Sequence, residues 1–289
     1  MAEHMAGHVA GHPAGHPAAH PLASWRFAVR SYRDIARLWV RASLAYPASF
    51  VMLTISGFLI TGLDFVALWL MFTHLDHLGH FSLMEVALLY GASGIGLRVA
   101  DLLIGSVERI GLYVRTGRLD QMLTKPVPLL VQICADDFSL RRFGQIGQAV
   151  IVFAVACTQV DWTPLRLLVA VSMVISSGVI FFGLFVAFSC VQFWTQDASE
   201  FANAFTYGGN TITQYPLSIY PGELTKGLTF LMPIAFVNWY PCLYLLGRDD
   251  PFGLPGWLQF CSPVAAVVVL GAALLAWRTG VRHYTSTGS

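Results

Sequence analysis

Apolar runs of about 18–23 residues recur along most of this chain, close to the length an α-helix needs to cross a hydrocarbon layer of about 30 Å. They are Phe50–Phe72, Leu83–Ile104, Phe143–Val160, Leu167–Phe188, Leu228–Leu246 and Trp257–Trp277. Each is apolar on every helical face, unlike the alternating strands of a membrane barrel. The pattern predicts an all-α, polytopic membrane protein with six transmembrane helices. Pro233, Asn238 and Pro241 predict a kink in the fifth run.

Two segments precede the first run. Residues 1–23 carry His4, His8, His12, His16 and His20 among Ala, Gly and Pro. Regularly spaced imidazoles can share a metal ion, but Gly and Pro at this density oppose the helix that would align them. The expectation is a disordered His-rich tail. Across residues 24–46, Trp25, Phe27, Tyr32 and Trp39 alternate with Arg26, Arg30, Arg33, Arg37 and Arg41. That mixture predicts an amphipathic interfacial helix, rings in the acyl boundary and guanidinium groups at the phosphates.

Composition supports the membrane reading. The chain is 56% hydrophobic and 11% charged, with mean hydropathy +0.62, which excludes an ordinary soluble domain. The net charge of +1 conceals an asymmetry. The five arginines before the first run share one side with Arg109, Arg115, Arg118, Lys125, Arg141 and Arg142 after the second. Lys226 after the fourth run and Arg278 and Arg282 in the tail belong there too. Arg166 and Arg248 fall on the other side. The positive-inside rule then places both termini, and a coupling region of about residues 108–142, in the cytosol. Nothing in this charge distribution calls for a nucleic acid.

Inside that region lies a polar, basic, proline-stopped segment from Gly117 to Pro128. Leu119, Met122 and Leu123 can share one helical face, with Arg118, Asp120 and Gln121 elsewhere, and Pro126 and Pro128 end the helix. With little else outside the bilayer, such an element is a docking point for a soluble partner. Residues 196–226 also leave the apolar pattern. Their aromatic residues, with Gly208-Gly209-Asn210, Pro216 and Pro221, predict a packed cytosolic or re-entrant segment.

Charges within spans cost several kcal/mol and face protein interiors or aqueous paths. Asp64 lies in the first run, Arg98 and Asp101 in the second. Arg98 and Asp101 are three residues apart, so an ion pair between them is geometrically easy. The three either fasten the bundle or line a translocation path. Five cysteines sit in or beside apolar runs without CxxC spacing, which argues for core packing over disulfides or metal binding. His74, Asp76, His77 and His80 crowd one short loop, where loop polarity accounts for them without a metal. The two lysines, Lys125 and Lys226, belong to no G-x-x-x-x-G-K-[ST] loop, and no G-x-S-x-G or H-E-x-x-H motif is present. The chain is expected to be no enzyme and to bind no cofactor of its own.

The Gly117-Arg118-Leu119-Asp120 segment with Pro126-Val127-Pro128 resembles the cytosolic coupling region of ABC-2 type transporter permeases. Gly62-Leu63-Asp64-Phe65, Ala202–Gly209, Gln214–Tyr220 and the ending Gly280–Ser289 resemble the small six-span permeases of that group. The resemblance covers residues 25–289. It implies a permease subunit of an ATP-driven exporter in the cell's inner membrane. Two ABC ATP-binding subunits, carrying ATP and Mg²⁺, would serve it together with a second permease, identical or homologous. Gly117, Arg118, Leu119, Asp120, Met122, Leu123, Lys125 and Pro126 would then couple to the ATPase. Surrounding lipids are the remaining partner, and an amphipathic or lipid-like cargo suits the apolar spans. A secondary transporter would need more intramembrane carboxylates than Asp64 provides. A non-transporting membrane scaffold is the other alternative.

Overall fold

A computed structural model describes residues 21–139, 142–195, 199–230 and 232–284. The His-rich tail up to residue 20, Arg141 and the ending 285–289 lie outside the described residues. Among the described residues the regular structure is all helical, with one isolated bridge, Leu78 to Phe81, in the loop that holds His74, Asp76, His77 and His80.

The helix α1 spans Pro21–Leu44 and α2 spans Pro47–Phe72, the proline in the first turn of α2 needing no intrahelical N–H partner. Helix α3, Leu83–Ile104, starts on a capping box in which the Ser82 amide donates to Glu85 Oε2 at 2.7 Å. Three short helices follow: α4 (Ile110–Arg115), α5 (Arg118–Leu123) and α6 (Leu129–Ala135). Next come α7 (Arg142–Ala156), α8 (Pro164–Ser189) and α9 (Ser199–Thr213). The chain closes with α10 (Gly222–Phe230), α11 (Trp239–Leu246) and α12 (Ser262–His283).

Four of these segments are long and apolar enough to cross a membrane: Pro47–Phe72, Leu83–Ile104, Pro164–Phe193 and Ser262–His283. Helix α3 is the hub, buried on nearly every face between α7 and α8, with α12 against α8 and α2 outside α7. The helices meet at small residues, which lets backbones approach where lipid offers no hydrophobic drive for association. A Cβ at Gly91 of α3 would stand 2.7 Å from the Phe153 backbone of α7, and one at Gly144 would collide with the Thr54 carbonyl of α2.

The fifth run departs from expectation. Leu228–Leu246 is not one kinked span but the end of α10, a tight turn at Ile234–Phe236 and the short α11. Pro233 interrupts the backbone ladder, and Asn238 turns its amide outward, donating to Leu89 O at 2.9 Å and Thr213 O at 2.6 Å. Trp239 and Tyr240 are then sealed in the core.

The segment before it runs from one end of the bundle to the other. Helix α9 starts beside residues 190–195, whose Gln192 side chain accepts from the Gly111 amide at 2.9 Å. Beyond α9, Ser218 Oγ reaches Gly79 O at 3.3 Å, in the loop between α2 and α3. Residues 214–221 thus lie at the opposite end of the bundle from α4–α6. Lys226 follows them on α10, where Thr225 bonds back to Leu217 O at 3.4 Å, and so lies at that end, apart from the basic residues it was grouped with by charge.

Candidate functional site

The polar segment singled out by sequence is a rigid corner between α4 and α6. Gly117 takes the left-handed conformation, φ 66°, which turns the chain from α4 into α5. Leu119 and Met122 are buried, whereas Leu123 is 45% exposed. The expected apolar face is therefore split: two residues anchor the helix and the third is presented outward, with Gln121, Thr124, Lys125 and Pro126 around it.

Polar contacts lock the corner. Arg118 Nη2 lies 2.9 Å from Asp136 Oδ2, and its guanidinium stacks over the Tyr113 ring at 4.8 Å. The Tyr113 hydroxyl donates to the same Asp136 carboxylate. Burial first, and that carboxylate second, push the Tyr113 hydroxyl up to about 12. Gln132 Nε2 ties down the carbonyls of Met122 at 2.9 Å and Val127 at 2.7 Å. Tyr284, just past α12, donates to Asp120 Oδ1 at 3.1 Å, so the last helix holds the corner as well. Cys134 beneath it is buried, its thiol pushed up to about 12, which leaves it a packing residue.

The intramembrane charges are arranged differently from the easy helical pair. Asp101 pairs with Arg142 at the start of α7, Nε to Oδ2 at 3.0 Å, and Arg142 Nη1 also donates to the Asp101 carbonyl at 2.6 Å. Among the described residues no ion pair joins Arg98 to Asp101 or to any other carboxylate. Asp64 lies on the uncovered side of α2, one turn from Thr61, whose carbonyl accepts from the Tyr90 hydroxyl at 3.0 Å. Arg98, Asp101, Arg142 and Tyr207 all border a cavity of about 370 Å³, with Glu108 and Arg109 also in its wall. Asp64 is not among its walls. Tyr207 donates to Asp101 Oδ1 at 3.3 Å, and Arg109 Nη1 lies 3.4 Å from Asp137.

Glu108 Oε1 is buried without a hydrogen-bond partner. Desolvation first, then the Asp101 charge, raise its carboxyl above the ordinary carboxylate range, with Tyr207 and Arg142 opposing. A raised folded value means that the native state holds the proton more tightly than the unfolded chain does, so stability falls as pH rises through the carboxyl's titration. Glu108→Gln, neutral at every pH, is therefore expected to melt above the wild type by a margin that grows as pH rises above the ordinary carboxylate range. Thermal melts in detergent measure this; a pH-independent margin would contradict it. Among the described residues no three of His, Cys, Asp or Glu converge to hold a metal ion.

Several residues at these sites escape a sequence reading. Arg142 entered only as a loop charge, though its place at the start of the third run puts it level with the C-terminal end of the second. Asp136, Gln132, Tyr113 and Tyr284 carry no pattern, because their partners lie on other helices. The chain is similar to a family model described as ABC-2 family transporter protein, which matches residues 58–288. No curated protein and no solved structure matches it.

Proposed function

The chain belongs to the ABC-2 transporter family, and from that premise we propose that it forms one half of the membrane path of an ATP-driven exporter. Family membership makes it a multi-pass membrane permease component that associates with an ABC ATP-binding subunit. The finer reading assigns six crossings to α2, α3, α7, α8, α9 and α12. Helices α10 and α11 form a hairpin that enters from the outer side, and α1 lies in the inner headgroup layer. Both termini are cytosolic and the membrane is the cell's inner membrane.

The observation that carries the coupling role is the construction of the α4–α6 corner. Helix α5 is fastened to α6 through Arg118 and Gln132 and to the end of α12 through Asp120, while Leu123, Thr124 and Lys125 stay free for contact. A short helix held this way moves with the spans it is tied to. An ATPase closing on it would tilt α3 and α7 through α4 and α6 and open the path outward. Two ATPase subunits, holding ATP and Mg²⁺, supply the energy that this chain has no motif to supply.

A second permease copy or homologue is supported by α2. Its surface is largely uncovered, and Asp64 stands on that uncovered side within an apolar helix. A carboxylate facing lipid is costly, so a neighbouring protein surface suits it better. Affinity purification tests the reading: the chain brings down a P-loop ATPase and, reconstituted with it, transports only with ATP. Transport by the chain alone would favour a secondary transporter, and no ATPase at all would favour a scaffold.

A further inference from the structure

The cavity beside Asp101 is walled by charges of both signs, and most of them are already matched. Asp101 is held by Arg142 at 3.0 Å, and Arg109 lies 3.4 Å from Asp137. Two groups are left over, one of each sign. Arg98 is half-buried and forms no ion pair among the described residues. Neither does Glu108, whose Oε1 is buried without a hydrogen-bond partner. Away from water a guanidinium calls for an anion and a carboxylate for a cation. Desolvation disfavours the charge on Glu108, and a cation brought against its carboxyl restores it.

A ligand that satisfies both groups carries two charges of its own. The wall also selects the kind of cation. Quaternary ammonium groups are recognised by cages of aromatic rings, and among the described residues Tyr207 is the only ring in this wall. A carboxylate oxygen accepts hydrogen bonds, which a primary ammonium donates and a quaternary one cannot.

Size and depth narrow the ligand further. About 370 Å³ lies at the small end of ligand sites, which run from about 300 to 1,000 Å³, and suits a headgroup better than a whole lipid. Leu53 stands six residues into α2 and Arg98 six before the end of α3, each about 9 Å at 1.5 Å per residue. Tyr32 of α1 donates to Leu103 O at 3.3 Å, so α1 meets α3 at this same end. With α1 in the headgroup layer, the cavity lies just beneath it. Leu53 and Ile60, exposed on α2, form its apolar border.

We propose that this cavity binds a zwitterion with a primary ammonium, its anionic group on Arg98 and its ammonium on Glu108, as a phosphoethanolamine headgroup offers. A membrane lipid or a soluble zwitterion can supply that chemistry. Whether the ligand is cargo rests on the transporter reading; the binding itself does not.

The test is a thermal-shift titration of the purified full-length chain in detergent. The probes are dioleoyl-phosphatidylethanolamine, dioleoyl-phosphatidylcholine, dioleoyl-phosphatidylglycerol and O-phosphoethanolamine. Phosphatidylethanolamine should stabilise the chain saturably, at a concentration about tenfold below the other two lipids. Arg98→Gln and Glu108→Gln should each weaken that response about tenfold, and Arg98→Lys should keep most of it. Glu108→Gln should also erase the preference over phosphatidylcholine, which a purely structural role would not do. Gly62→Leu, on the other flank of α2 where a Cβ would meet nothing within 4 Å, should change neither. Saturation by the lipid alone supports the site with the membrane as its source, and equal saturation by O-phosphoethanolamine supports it with a soluble ligand. Equal responses to the three lipid headgroups, or a titration unmoved by both Arg98→Gln and Glu108→Gln, would overturn the proposal. So would a response lost in Gly62→Leu, which would put the lipid on the apolar flank instead. Failure to bind, with ATP-driven transport intact, removes only this inference. Selective binding by a chain that recruits no ATPase removes only the transporter role.

Discussion

Replacing Leu123 with aspartate is expected to abolish ATP-driven transport while leaving the chain folded and inserted. Leu123 is 45% exposed, and the contacts that hold α5 run through Leu119, Met122, Arg118 and Gln132 instead. The substitution therefore leaves the corner intact and strikes only what docks on it. Losing an apolar anchor and placing a charge against the partner costs about 2–4 kcal/mol, or roughly 30- to 1,000-fold in affinity for the ATPase. Deleting Gly117–Lys125 should uncouple more completely. Asp120→Arg should act by a second route, since it releases Tyr284 from α5. Reconstituted vesicles report both, and wild-type transport by Leu123→Asp would remove α5 from the coupling role.

The largest effect on stability is expected at Arg142. Its side chain and that of Asp101 are 11% and 7% exposed, so the pair is effectively inside the protein. Arg142→Ala removes the guanidinium 3.0 Å from the Asp101 carboxylate, a loss of about 3–5 kcal/mol for a buried pair broken on one side. Asp101→Leu combined with Arg142→Met removes both charges and should recover most of it. Denaturation in mixed micelles compares the three. A single variant as stable as the wild type, or a double variant no better than the single, would contradict this account of the pair.

What the sequence conveyed depended on which way each helix faces. The second run, Leu83–Ile104, coincides with α3 at both ends, and the first and fourth fall within a few residues of α2 and α8. These helices are apolar throughout, and length alone finds them. Helix α9 was invisible to that measure because its packed face is polar. Thr206, Asn210 and Thr213 are buried on it, and Ser93 Oγ donates to Asn210 Oδ1 at 2.8 Å while also bonding Thr213 Oγ1. Satisfied polar groups lower the hydropathy of a helix without exposing it to water. The fifth apolar run misled for the complementary reason: its residues are buried against protein, and its prolines had already broken it. The site followed the same division. Gly117 and the proline stop are local signals and mark α5 correctly, whereas the ties from Asp136, Gln132 and Tyr284 are non-local and leave no spacing to read.

The central claim is that the exposed edge of α5 sits in an ATP-binding subunit. Thr124 lies exposed on that edge, and Leu75, at the opposite end of the bundle, is exposed as well. A photo-crosslinker at Thr124, in membranes carrying the assembled complex, measures the contact directly. The expected result is a covalent adduct with the ATPase subunit from Thr124 and none from Leu75. No adduct from Thr124, or adducts of equal yield from both positions, would contradict it.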